Sequence, residues 1–208
     1  MYNSGPLQTA VLAARRAGDI IRRHRAQNLG STVKIQEKGR FDYVTEIDQQ
    51  CEDMIIQTIK QSYPNHTFLG EESGDSQTEQ ADKKHCWIID PLDGTSNFVH
   101  QIPHFSISIA YQVDGKTDQA VVYEPISEEL FTASKGRGAF LNNRRIRVSP
   151  RIQLDGALLG TGFPFRKRRH LGAQMAMMSE FFEQIEDVRR TGSAALDLAY
   201  VASGRFDG

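Results

Sequence analysis

Apolar residues recur at helical spacing from Pro6 to Gln27, where Leu7, Val11, Ala14, Gly18 and Ile21 share one face. Arginines fill the opposite face, so this stretch predicts an amphipathic helix. A second helical pattern runs through Ile47, Cys51, Met54, Ile55, Thr58 and Ile59. Thr45, three residues ahead of Asp48, is close to a capping box. That spacing puts Asp48 in the first helical turn, where free N–H groups and the helix dipole favour a carboxylate. Residues 34–41 are polar and contain glycine, which predicts a loop or a mobile hairpin.

Downstream the period shortens. Strands are predicted over 105–113, 118–123, 129–134 and 138–141, with Asp114-Gly115 and Asn142-Asn143 as hairpin signals. Residues 73–84 read as polar and exposed, and 156–162 as a short strand. Leu171, Met175, Met178, Phe182 and Ile185 mark another helix, with Met177 and Met178 as core filler. A strand is expected over 188–191 and a helix over 193–203, closed by Gly204. There is no internal repeat and no low-complexity segment. A boundary near Ser149-Pro150 divides an N-terminal α+β part (1–149) from a C-terminal α/β part (150–208).

The candidate chemistry sits where apolar runs end in acids. Trp87-Ile88-Ile89 precedes Asp90-Pro91-Leu92-Asp93-Gly94-Thr95, a strand that Pro91 and Gly94 should turn sharply. Two carboxylates, turn carbonyls and a hydroxyl then crowd one strand end, a donor set suited to a hard cation such as Mg²⁺. Phe68-Leu69-Gly70 leads into Glu71-Glu72, and a third acidic stretch spans Asp42 to Asp48. Each acid alone is more often a solvated turn; three in one chain, two of them closing apolar runs, are harder to dismiss.

Composition narrows the class. The chain has 208 residues, formal net charge -1 and 39% hydrophobic residues. That charge exerts no global pull toward nucleic acid. No apolar run approaches the ~20 residues that span a bilayer, and arginines interrupt the N-terminal apolar positions, against a signal peptide. Cys51 and Cys86 form no C-x-x-C, which points to a reduced, cytoplasmic protein.

Asp90-Pro-Leu-Asp-Gly-Thr-Ser-Asn-Phe98 resembles the signature of the inositol monophosphatase family. Gly70-Glu-Glu-Ser73 and Asp42-Tyr-Val-Thr-Glu-Ile-Asp48 are similar to its two upstream motifs, in order and spacing. The block from Arg189 to Gly204 is similar to its substrate-side segment, and Thr161-Gly-Phe-Pro-Phe165 to bacterial members. The resemblance covers essentially the whole chain. It implies a layered αβαβα sandwich with metals at the junction of the two parts, and Mg²⁺-dependent hydrolysis of a small phosphorylated polyol, myo-inositol 1-phosphate first. A 3′-phosphonucleotide or sugar bisphosphate is the alternative substrate class.

The resemblance also distributes roles. Glu71 and Asp90, with the carbonyl of Leu92, would hold one Mg²⁺; Asp90 and Asp93 would share a second, ~3.5–4 Å away; Glu71 would face a third, weaker site. Glu71 and Thr95 would orient the attacking water, with Asp48 accepting from Thr95. Asp93, Gly94 and Thr95, then Gly192, Ser193 and Ala194, would bind substrate. Each has a plainer reading: Asp48 as a helix cap, Thr95 as a turn hydroxyl, Ser193 as an N-cap. No His, Ser or Cys stands in a recognisable covalent-nucleophile setting, which favours direct attack by water. His66, His100 and His104 show no metal spacing and read as structural. Li⁺ inhibition and a homodimer are expected from the resemblance alone.

Two features point elsewhere. Arg166, Lys167, Arg168 and Arg169 form a basic run, more often solvated but able to dock an acidic or nucleic-acid partner; some bacterial members act with the transcription machinery. Family members also continue past the equivalent of Gly208, with an Asp that completes the second metal shell. The chain is therefore read as a fragment or a shortened variant, with Phe206 opening a strand and Asp207 a poor substitute ligand. Weak Mg²⁺ binding and weak phosphatase activity are expected of it.

Overall fold

The computed structural model describes residues 5–27, 35–39, 42–75, 82–163 and 168–208, without the side chains of 35–45 and Arg168. Helix α1 is Pro6–Gln27, and α2 is Glu46–Lys60. Ala13, Ala14 and Ala17 are fully buried on α1; such small side chains let it lie close to α2 and the sheet. At Gly18 a Cβ would fall 2.6 Å from the Tyr123 ring, so only glycine fits there. Before α2, β1 (Ile35–Gly39) and β2 (Asp42–Thr45) form an antiparallel hairpin. The cap bond expected of Thr45 falls on a side chain outside the described set.

The centre is an eight-stranded mixed sheet. Its strands are β3 (His66–Gly70), β4 (Gly74–Asp75), β5 (Asp82–Asp93), β6 (Ser106–Val113), β7 (Lys116–Glu124), β8 (Glu129–Ser134), β9 (Gly138–Leu141) and β10 (Arg144–Arg145). Their spatial order is β10-β9-β8-β7-β6-β5-β3-β4. Only β3 and β5 run parallel; the other pairs are antiparallel. Alternation along β7 shows the two faces. Val121 and Tyr123 join the core beneath α1 and α2, together with Trp87, Ile107 and Ile109. Val122 faces a second cluster with Phe131, Leu196 and Ala199, the last two on helix α5 (Ala194–Ala202). Helices thus flank the sheet in an α+β sandwich. Each large side chain buried this way contributes roughly 1.5–3 kcal/mol.

Past residue 149, β11 (Leu158–Gly160) and β12 (Asp187–Arg189) form a parallel pair, with α4 (Leu171–Phe182) between them in sequence. These elements are shorter or displaced relative to their sequence patterns. The strand expected at 188–191 ends at Arg189, because Gly192 (φ 96°) begins the turn into α5. Of the two core methionines expected on α4, Met178 is buried but Met177 is 53% exposed. Phe206 opens no strand: its ring is buried, stacking edge-on with Tyr200 and lying against Gly160. Asp207 N–H and Gly208 C=O instead bond the backbone of β11, at Leu158 and Gly160. The stretch expected to be polar and exposed at 73–84 contains β4 and the start of β5; residues 76–81 lie outside the described set.

Candidate active site

Strand β5 delivers two carboxylates to one place by breaking its own regularity. Positions three apart on a regular strand face opposite sides. The register of β5 with β6 shifts between Asp90↔Ser108 and Asp93↔Ser106. Such a bulge re-aims side chains and accommodates Pro91, which has no N–H for the ladder. Of the two residues expected to turn the chain, Pro91 therefore stays within the strand, and the turn falls at Gly94 (φ 97°), where helix α3 (Thr95–Val99) begins. Leu92 N–H donates to Asp90 Oδ1 at 3.2 Å and braces it.

Glu71 arrives from β3. Its N–H donates to Ile89 O at 3.1 Å, which extends the parallel ladder and sets Glu71 beside Asp90. The turn that follows is held by Glu52 of α2, 2% exposed, which accepts from Glu72 N–H and Ser73 N–H at 2.9 Å each. Gly70 is required here because a Cβ would meet the Glu52 carboxylate at 2.5 Å. Glu52 has no motif of its own. The one sequence signal was its place four residues after Asp48, on the buried face of α2.

Asp48, 2% exposed, stands behind Thr95 and accepts from its hydroxyl at 3.2 Å; that hydroxyl also lies 3.1 Å from Leu92 O. Asp93 reaches across to α5. Its Oδ2 accepts from Ser193 Oγ at 2.7 Å and from Ala195 N–H at 2.6 Å. Ser193 also N-caps α5, accepting from Leu196 N–H, and is fully buried. Its hydroxyl is thereby engaged by protein, unlike the substrate contact expected of it. Ser106 Oγ, equally buried, is 3.3 Å from Ser193 Oγ. The single proton of Ser193 goes to Asp93, so Ser106 is the donor of that pair.

These residues border one cavity of about 510 Å³. Glu71, Asp90, Leu92, Asp93, Gly94, Thr95, Gly192, Ser193 and Ala194 all line it, whereas Asp48 sits behind Thr95. Gly160, Thr161, Phe163, Arg190, Asp197 and Leu198 add walls; all but Gly160 lie within the Thr161–Phe165 and Arg189–Gly204 blocks, which had given them no individual role. Burial, then the charges of Glu71 and Asp93, push the Asp90 carboxyl up to about 8, against the pull of Leu92 N–H. Three crowded carboxylates held at that cost, with carbonyl and hydroxyl oxygens beside them, fit a hard divalent cation.

Other candidates lie apart. Asp207 accepts from Leu158 N–H at 2.8 Å and pairs with Arg151 at 3.4 Å, so it serves the β11 edge. Of the basic run, 166–167 and the side chain of Arg168 lie outside the described residues; Arg169 is exposed and donates to His170. One further group among the described residues offers metal-type ligand atoms within 4.8 Å of one another: His66, Asp82 and His85. Sequence spacing did not suggest it. Trp87 Nε1–H donates to His66 Nδ1 at 3.0 Å, and the imidazoles stack at 4.7 Å with 17° between planes. In-plane lone pairs of near-parallel rings do not meet at one ion unless a ring turns, so we read this group as an aromatic stack with Tyr63 and Tyr111.

Comparison with known proteins agrees with this architecture. Residues 5–208 match the model of the Inositol monophosphatase family. The Nus factor SuhB of Escherichia coli strain K12 is 48% identical over 202 residues, covering 97% of this chain and 74% of that protein. The Nus factor SuhB of Vibrio cholerae is 50% identical over 204 residues, with the same coverage. Among solved structures, the extragenic suppressor protein suhB from Bartonella henselae superposes with a TM-score of 0.91 at 40% identity, covering 98% of this chain and 76% of that one. The inositol monophosphatase from Anabaena (Nostoc) gives 0.81 at 36% identity, covering 96% and 71%. The chain therefore belongs to the inositol monophosphatase family.

Proposed function

We propose that this chain hydrolyses a small phosphate monoester, with myo-inositol 1-phosphate as the leading substrate, by direct in-line attack of water. The observation that carries the reading is the convergence of Glu71, Asp90 and Asp93 in one cavity, with Asp90 held far above its ordinary range. Glu71, Asp90 and the carbonyl of Leu92 would hold one Mg²⁺, Asp90 and Asp93 a second, and Glu71 would face a third. Bound there, Mg²⁺ supplies acidification of water and neutralisation of phosphate charge.

The chain's own groups do the rest. Thr95 orients water: its hydroxyl proton is held between Asp48 and Leu92 O, which leaves its lone pairs for that water. The backbone at Gly94 and Thr95 faces phosphate; Gly192 and Ala194 face the substrate hydroxyls. Of the serines that line the cavity, Ser193 gives its hydroxyl proton to the Asp93 carboxylate, and no Cys or His lines it among the described residues, which favours attack by water rather than a covalent intermediate.

Phosphate release from inositol 1-phosphate, 3′-phosphoadenosine 5′-phosphate and fructose 1,6-bisphosphate tests the reading. Mg²⁺-dependent release, fastest from inositol 1-phosphate and inhibited by Li⁺, is expected. Faster turnover of the nucleotide would move the substrate to the alternative class, and no release from any of the three would remove the activity.

A second reading rests on the relatives called Nus factor SuhB: a binding role with the transcription machinery in the cytoplasm, through the basic run at 166–169. Two free cysteines and the lack of any membrane-crossing helix among the described residues are compatible with it. Co-purification of RNA polymerase with both the native chain and Asp90→Asn would support binding independent of catalysis. A homodimer is part of the same proposal, and sedimentation tests it.

A further inference from the structure

The two halves of the cavity come from distant segments. The Asp93–Thr95 turn belongs to the end of β5, whereas the loop carrying Gly192 and Ala194 joins β12 to α5. Asn97, on α3, is 8% exposed and reaches between them. Its Nδ2 lies 2.8 Å from Thr191 O and 2.7 Å from His104 O. Both partners are carbonyls, so this orientation of the amide is the one that satisfies them, and both of its protons are donated.

The surrounding backbone leaves no slack. A Cβ at Gly192 would fall 2.8 Å from Asn97 Nδ2. One at Gly94 would fall 3.1 Å from His104 O and 3.3 Å from Gly192 O. Both glycines also have positive φ, 97° and 96°. Main chain from three segments therefore meets around one buried amide. Other ties between the halves run through Ser193, which bonds Asp93 and Ser106, and through Ala195 N–H to Asp93; Asp93 is needed by the proposed reaction for the cation. Asn97 does not line the cavity, so whatever it contributes acts through the loop.

We propose that Asn97 is a positioning residue for substrate: it clamps the Thr191–Gly192 backbone to the metal-side turn, so that the cation half and the hydroxyl-binding half of the cavity keep one geometry. This rests on the phosphatase reading above for its kinetic consequence, but not for its structural one. Loosening the clamp leaves Glu71 and Asp90 in place on their own strands, and Asp93 still bonded to Ser193 and Ala195 at the start of α5. It releases the loop that faces the part of the substrate remote from phosphate, which is a loss of binding rather than of chemistry.

Asn97→Ala removes both donors, and Asn97→Ser keeps one hydroxyl donor on a shorter stem. Cooperative unfolding establishes that each variant is folded; if Ala fails this check, Ser carries the test. KM for inositol 1-phosphate is expected to rise at least tenfold in Ala and less in Ser, with kcat within about threefold and Mg²⁺ affinity by calorimetry within twofold. Amide exchange at residues 192–196 should speed up tenfold or more, while that of the β5 interior stays unchanged. Unchanged exchange in the loop, or an equal rise throughout the protein, would overturn the clamp. A fall in kcat with KM unchanged would overturn the substrate-positioning role. Should the native chain prove inactive, the phosphatase reading fails by itself, and exchange still decides whether Asn97 holds the loop.

Discussion

Ser193 donates its hydroxyl proton to Asp93 Oδ2 at 2.7 Å, across 100 residues of sequence. With Ala195 N–H on the same oxygen, Asp93 is turned so that only Oδ1 is left for a cation. Ser193→Ala removes that donor, an N-cap and the acceptor of Ser106 at once. It should cost about 1–2 kcal/mol, or a Tm loss of ~2–4 °C per kcal/mol. Mg²⁺ affinity should fall with it, and Ser193→Thr should restore most of both. Calorimetry and thermal melts of the two variants provide the check.

Asp90 makes cation binding dependent on pH. With its carboxyl pushed up to about 8, the metal-free protein holds a proton there at neutral pH. A cation must displace that proton, so apparent Mg²⁺ affinity should weaken by about tenfold per unit below pH 8 and level off above it. Titration calorimetry in buffers of different ionisation heat would reveal the released proton. A flat affinity between pH 6 and 8 would contradict the assignment.

The same group gives stability a definite sign. An acid whose folded pKa lies above its ordinary 3.8 favours the folded state while protonated, and that advantage is lost as pH rises toward 8. The metal-free protein should therefore lose stability from this site between pH 4 and 8. Asp90→Asn should abolish that part of the slope, as should saturating Mg²⁺ in the native chain. Denaturant melts at several pH values measure it.

Thr95→Ala should lower kcat by roughly 10²–10⁴ if the hydroxyl orients water. Mg²⁺ binding should barely move, since the acids of the shell stay in place. Asp48→Ala should act in the same direction, since it leaves the Thr95 hydroxyl only Leu92 O as acceptor. Equal losses in cation affinity and rate would instead mark both residues as scaffolding.

Glu52 supplies a test from outside the motifs. Glu52→Ala leaves two buried N–H groups, of Glu72 and Ser73, without their acceptor. A stability cost of about 1–3 kcal/mol is expected, along with weaker Mg²⁺ binding as Glu71 loses its fixed turn. Unaltered Mg²⁺ affinity in a stably folded variant would mean that β3 alone holds Glu71.

Local patterns settled what depends on near neighbours in sequence. The 3.6-residue period of α1 placed Pro6–Gln27, and alternation placed β6 to β9, because burying one face of a helix or strand needs no knowledge of what covers it. Acids closing apolar runs marked Glu71, Asp90 and Asp93 for the same reason: strand ends converge at one edge of a sheet. Tertiary structure decided the contacts that join segments far apart. No period foretells that Glu52 caps the Glu71 turn, that Asn97 reaches Thr191, or that His66 stacks on His85. Pro91 reads as a turn until the bulge opposite β6 absorbs it. Phe206 reads as a strand residue until Tyr200 and Gly160 bury it. In each case the deciding energy is burial or a hydrogen bond to a partner that the fold alone brings near.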